Sequence, residues 1–179
     1  MVWSGKSEPG KVGQGVVRRK LRAFLGQSRF VQAWFLPVWL ALGLSRGAIR
    51  ILSFRRLAPL LGHDAGTLPR SPAAGARDEA RALEIGRVVR MAATYTPWTS
   101  DCYPQAIVAR GLMGLYGVPY TLYFGVRRGR DGLMQAHAWT CCGRIRVSGG
   151  AGSDRFTVVR QYTAAGPGRA RDSGAARPS

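Results

Sequence analysis

Three cysteines, Cys102, Cys141 and Cys142, and two histidines, His63 and His137, are the soft nucleophiles and near-neutral bases of this 179-residue chain. A thiol reacts as its thiolate, and a free pKa of about 8.5 leaves little thiolate at neutral pH. A helix N-terminus and a neighbouring imidazole both stabilise that anion. Cys102 follows Ser100-Asp101, a helix-capping pair, so it is expected in the first turn of a helix. His137 stands thirty-five positions later in an alternating, strand-like stretch, so only the fold can bring it to Cys102. The chemistry such a pair supports is nucleophilic: attack by sulfur on an acyl carbon, with imidazole moving the protons. Cys102 standing alone would read as a buried, inert cysteine. Cys141 and Cys142 are strand neighbours whose side chains point to opposite faces, which makes them poor disulfide partners. His63 reads as solvent-exposed.

The elements that must position these groups are legible in outline. Residues 1–15 read as disordered. Residues 16–77 read as a basic helical region and linker. Within it Ser28 caps a long helix through Ile51, kinked or split near Pro37 and Gly43, and a short helix follows at 55–61. The segment 63–77, with Pro69, Pro72 and several Gly and Ala, reads as loop. Residues 78–163 form the domain that carries the chemistry. Asp78 caps an amphipathic helix marked by Ala82, Ile85, Val89 and Ala92, which ends before Pro97. The helix from Cys102 closes at Gly117, and after Pro119 the period changes to strands at 121–126, 133–141, 145–147 and 156–159. Residues 164–179 read as a disordered tail. Helices followed by an antiparallel meander make the fold class α+β.

Around the two reactive residues run Trp98-Thr99-Ser100-Asp101-Cys102-Tyr103-Pro104-Gln105-Ala106, Tyr116-Gly117-Val118-Pro119, Phe124-Gly125-Val126, Ala136-His137-Ala138-Trp139, Gly149-Gly150 and Phe156-Thr157-Val158. In this order the segments resemble the stand-alone leader peptidases of lasso-peptide biosynthesis, which are transglutaminase-like (papain-like) cysteine proteases. The resemblance covers roughly residues 78–163, and Phe54-Arg55-Arg56-Leu57-Ala58 is similar to the N-terminal part of that family. It implies a cysteine endopeptidase with Cys102 as nucleophile and His137 as general base and acid. It further implies a cytoplasmic setting, a ribosomally made precursor peptide as substrate, and two partners: a leader-recognition protein and an asparagine-synthetase-like cyclase. No cofactor and no metal are implied.

The chain departs from the family pattern at one position. Where members often carry an Asp twelve residues after the histidine, this sequence has Gly149. Asp154 is then a candidate third member, if the Gly-rich loop folds back, and Ser148 or a backbone carbonyl is another. Trp98, Gln105 and Trp139 are candidates for the cleft wall, with Trp98 also a potential oxyanion donor; plain packing is the alternative reading for each. The Cys102 backbone N–H, at a helix start, is the stronger oxyanion candidate. A zinc site built from Cys102, His137 and Cys141 lacks the usual ligand spacing and a fourth ligand.

Composition frames the partners. The formal net charge is +18, and eleven Lys and Arg precede residue 61 against one acid, Glu8. Such a balance favours anionic partners and keeps a second reading open: a non-catalytic basic protein that binds nucleic acid or a membrane surface. A transglutaminase-like acyl transfer is a third, because the same thiolate makes the same acyl-enzyme. The apolar run from Phe30 to Leu44 is shorter than the roughly 20 residues needed to span a bilayer, and reads as a buried or membrane-surface helix.

Overall fold

The computed structural model describes residues 11–51, 63–67, 71–98, 101–150 and 152–166. Four α-helices stand out: α1 (Lys11–Leu25), α2 (Arg29–Ile51), α3 (Ala76–Thr94) and α4 (Cys102–Leu115). Five strands, β1 (His63–Gly66), β2 (Tyr120–Arg128), β3 (Met134–Cys142), β4 (Ile145–Arg146) and β5 (Thr157–Ala164), form one antiparallel sheet in the order β1-β5-β2-β3-β4. The architecture is α+β, as the order of elements implies.

The helix starts follow local chemistry. Ser28 Oγ accepts the Val31 N–H at 3.3 Å, capping α2. α2 then runs on as a single helix through Pro37 and Gly43, where a kink or split is expected. Pro37 falls on its exposed face, so the carbonyl left without a donor can be hydrated. Gly43 is where the Trp98 ring lies against the helix: a Cβ there would sit 3.0 Å from the indole. α3 begins at Ala76, two residues before the expected cap. Asp78 acts from inside the first turn, its carboxylate accepting the Gly75 N–H at 2.9 Å. Ser100 lies outside the described residues. Asp101 is the N-cap of α4, and its carboxylate faces Arg46 of α2 at 4.0 Å.

Three expectations need correction. α1 begins at Lys11, so 11–15 are helical rather than disordered. Once nucleated, a helix adds a hydrogen bond per residue, enough to carry it through Gly13 and Gly15 at about 1 kcal/mol each. Within the expected loop, His63–Gly66 is an edge strand paired with β5, His63 opposite Thr163 and Asp64 opposite Tyr162. Four polar or small residues carry no alternating pattern; the long-range pairing and the Asp64–Arg160 ion pair make the strand. β5 in turn runs to Ala164, because β1 and β2 pair with it on both sides. The expected helix at 55–61 and most of the expected tail lie outside the described residues.

One core serves the whole assembly. α2 contributes Val31, Val38 and Leu42, α3 contributes Ile85, Val88 and Val89, and α4 contributes Ala106, Ala109 and Met113; Leu122, Ala138 and Cys142 complete it from the sheet. Among the described residues, the N-terminal helix α2 packs into the same interior as the site-bearing elements. Among the described residues, no helix is long and apolar enough to cross a membrane.

Candidate active site

Cys102 is the first residue of α4, and Ala106, Ala109 and Met113 continue its stripe down the helix into the core. α4 is fastened to the sheet by Thr140, whose hydroxyl donates to the Ala106 carbonyl at 3.2 Å, and by Tyr103, whose ring packs 5.4 Å from that of Phe124. These contacts hold the start of the helix over the β2–β3 pair, where His137 is registered opposite Gly125. Cys102 and His137 both contribute to the wall of a cavity of about 550 Å³, together with Tyr103, Phe124, Val126 and Ala138. Both are half-buried. Among the described residues no hydrogen bond joins the thiol to the imidazole; in free enzymes such bonds often form only with substrate bound.

The imidazole is held on three sides. Nε2 lies 2.7 Å from the Gly149 carbonyl oxygen. The ring stacks on Trp139 at 5.7 Å and lies against Phe156 at 4.8 Å. The stack continues outward: the Arg127 guanidinium covers Phe156 at 4.7 Å, and Tyr123 lies parallel to Trp139 at 5.3 Å. Gly125 makes room for this layer, since a Cβ there would come within 2.9 Å of both Phe156 and the Trp139 ring. Opposite it β5 carries a bulge, with Phe124 paired to Arg160 and Gly125 to Val158, and the extra residue Val159 joins the cavity wall.

A carbonyl oxygen only accepts, so Nε2 carries the proton of the neutral ring and Nδ1 keeps the lone pair. Position 149 thus contributes its backbone carbonyl to the imidazole. Gly149 has φ +92, and a Cβ there would stand 2.3 Å from the Trp139 Cβ. A side chain at 149 is excluded by the same contact that brings the carbonyl to His137.

The remaining candidates are placed as follows. Ser148 is buried, and its hydroxyl has no hydrogen-bond partner among the described residues. Asp154 is exposed on a short 3-10 turn, Ser153–Arg155. Neither hydrogen-bonds to His137. Trp98 packs away from the cavity on α2, against Gly43 and 5.2 Å from Trp39, with its indole N–H buried. Gln105 is half-buried one turn into α4 and takes no part in the cavity wall. Trp139 backs the imidazole. Phe156, Gly125 and Arg127 are the residues that sequence reasoning missed as site components; Phe156 and Gly125 stood in quoted motifs, while nothing in the sequence marked Arg127.

Electrostatics separates the cysteines further. Burial pushes the Cys141 thiol up, only partly offset by Arg146, so Cys141 holds its proton. Cys142 is buried in the core. On the cavity wall, burial and then the Tyr162 phenol push Tyr103 up to about 12, so it is a neutral group there. Arg160, also on the wall, donates from Nε and a terminal nitrogen to Asp64 Oδ2, which holds the Asp64 carboxyl below its usual range.

A thiol at a helix start, an imidazole on a neighbouring strand with Nδ1 left basic, and an apolar cavity between them suit acyl chemistry on sulfur. Comparisons with curated proteins and with solved structures returned no significant match. A family model described as the transglutaminase-like superfamily matches residues 48–161, more than half of the chain. It begins within α2, in keeping with the shared core, and takes in Cys102, His137 and the loop that holds Gly149. The chain belongs to the transglutaminase-like superfamily, which includes cysteine proteases and acyltransferases.

Proposed function

We propose that the protein is a cysteine endopeptidase that removes the leader from a ribosomally made lasso-peptide precursor. The observation that supports this most is the shared cavity of Cys102 and His137, with the imidazole Nε2 on the Gly149 carbonyl. In this reading Nδ1 takes the proton of the Cys102 thiol. The thiolate attacks the scissile carbonyl, and the Cys102 backbone N–H, at a helix start, supports the oxyanion. As the tetrahedral intermediate collapses, the imidazolium returns its proton to the leaving amine and an acyl-enzyme remains. Water, deprotonated by the same nitrogen, then releases the acid. The carbonyl of Gly149 and the faces of Trp139 and Phe156 fix tautomer and ring plane, the task a carboxylate performs elsewhere.

The resemblance of the site-bearing segments extends the reading to a cytoplasmic enzyme working beside a separate leader-recognition protein and an asparagine-synthetase-like cyclase. The test is direct. The purified chain, incubated with precursor and recognition protein, releases core and leader as two masses, and Cys102→Ala releases neither. Transfer of the acyl group to an added amine with no hydrolysis in water would replace the peptidase by an acyltransferase. Cleavage that survives Cys102→Ala would end both.

A further inference from the structure

The site explains α3, α4 and the sheet, but it leaves one face of α2 without a task. Leu36, Leu40 and Leu44 follow one another at four-residue intervals and are 61, 50 and 76 % exposed. Ala33 and Pro37 on the same face are exposed too, while Val31, Val38 and Leu42 point the other way into the core. At about 100° per residue, Arg29 heads the same stripe, one turn ahead of Ala33, and it is exposed. Across the turn, α1 shows Leu21 and Leu25, 55 and 61 % exposed, interleaved with exposed Arg18, Arg19 and Arg22. Gln32 ties the two helices, its side-chain amide donating to the Leu25 and Gln27 carbonyls at 2.8 and 3.0 Å. From Lys11 to Ile51 the chain has eight Lys and Arg and no acid.

We infer that the α1–α2 hairpin seats the protein on an anionic lipid surface, with the α2 leucines in the acyl boundary and the arginines at the headgroups. A leucine stripe flanked by cations, on a helix not apolar enough to span, is the pattern of an interfacial helix. A second copy of the chain is a poor occupant, because it would set one cationic hairpin against another. A folded protein partner is disfavoured by the stripe itself. Positions 33, 36, 37, 40 and 44 offer no hydrogen-bonding side chain, whereas specific interfaces carry about one hydrogen bond per 100–200 Å². A bilayer requires none. The inference does not depend on the peptidase reading, since none of these residues belongs to the site.

The experiment is flotation of the full chain with vesicles of phosphatidylcholine alone and of phosphatidylcholine and phosphatidylglycerol in equal parts. The expected result is binding to the anionic vesicles, weakened by added salt. The triple variant Leu36→Gln, Leu40→Gln, Leu44→Gln should bind more than tenfold more weakly while keeping the thermal midpoint of the parent, because all three side chains are exposed. Arg18→Glu with Arg22→Glu should weaken binding without touching the leucines. Three results would overturn the inference: no flotation with either vesicle, flotation of the triple variant equal to the parent, or a parent dimer that the triple substitution dissolves, which would make the stripe a self-contact.

Discussion

His137 Nε2 lies 2.7 Å from the carbonyl oxygen of Gly149, twelve residues further along the chain. A backbone carbonyl can fix the tautomer but brings no negative charge, so it stabilises an imidazolium less than a carboxylate would. The ring plane is left to Trp139 and Phe156.

Placing an acid at 149 should fail. Gly149→Asp meets both a positive φ and the Trp139 Cβ at 2.3 Å, and either the loop or the indole must move. The expected cost is about 1–3 kcal/mol of stability, with loss of the carbonyl contact and of activity. Thermal unfolding and precursor cleavage measured on Gly149→Ala and Gly149→Asp decide this. A stable, more active Gly149→Asp would contradict it.

The neighbouring polar groups should matter little. Ser148→Ala removes a buried hydroxyl that has no partner among the described residues, so stability should change by less than about 1 kcal/mol, and activity should persist. Asp154→Ala, on an exposed turn, should also cleave at close to the parent rate, whereas His137→Ala should be inactive. A severe defect in folded Asp154→Ala would mean that the loop closes on the imidazole during turnover.

The aromatic clamp gives a sharper signature. Phe156→Ala uncovers one face of the imidazole and frees the Arg127 guanidinium. We expect kcat to fall at least tenfold with KM little changed, and rescue by Phe156→Tyr. Equal losses in the Ala and Tyr variants would reduce Phe156 to packing.

The three thiols should separate under iodoacetamide near neutral pH. Cys102 should be alkylated first, with activity lost in step. Cys141, whose thiol burial pushes up, should lag, and core-buried Cys142 should react only on unfolding. Mass mapping of the first adduct to Cys141 would overturn the order.

Alkali tests the cavity wall. An unfolded tyrosine ionises near 10, and folded Tyr103 near 12. Between these values the unfolded chain binds fewer protons, so stability falls as pH rises, and it is fully retained below pH 10. Tyr103→Phe should flatten that decline in denaturant titrations; an unchanged slope would remove the phenol as its cause.

By itself the sequence determined the α+β order, the start of α4 at Cys102, the strand holding His137 and the pairing of motifs that marks the superfamily. These are local matters: capping residues, helical and strand periods, and glycine after a helix act within a few positions. It did not show that His63–Gly66 would be a strand, because an edge strand of polar and small residues is made by its partner β5 and not by its own pattern. Nor did it show that α2 shares the core with the sheet domain, since apolar spacing reveals a face without naming what covers it. The orientation of His137 was the least legible feature. A carbonyl is present at every residue, so only tertiary structure could decide that the carbonyl of Gly149, brought close because a glycine lets the chain lie against Trp139, would be the one to hold the ring.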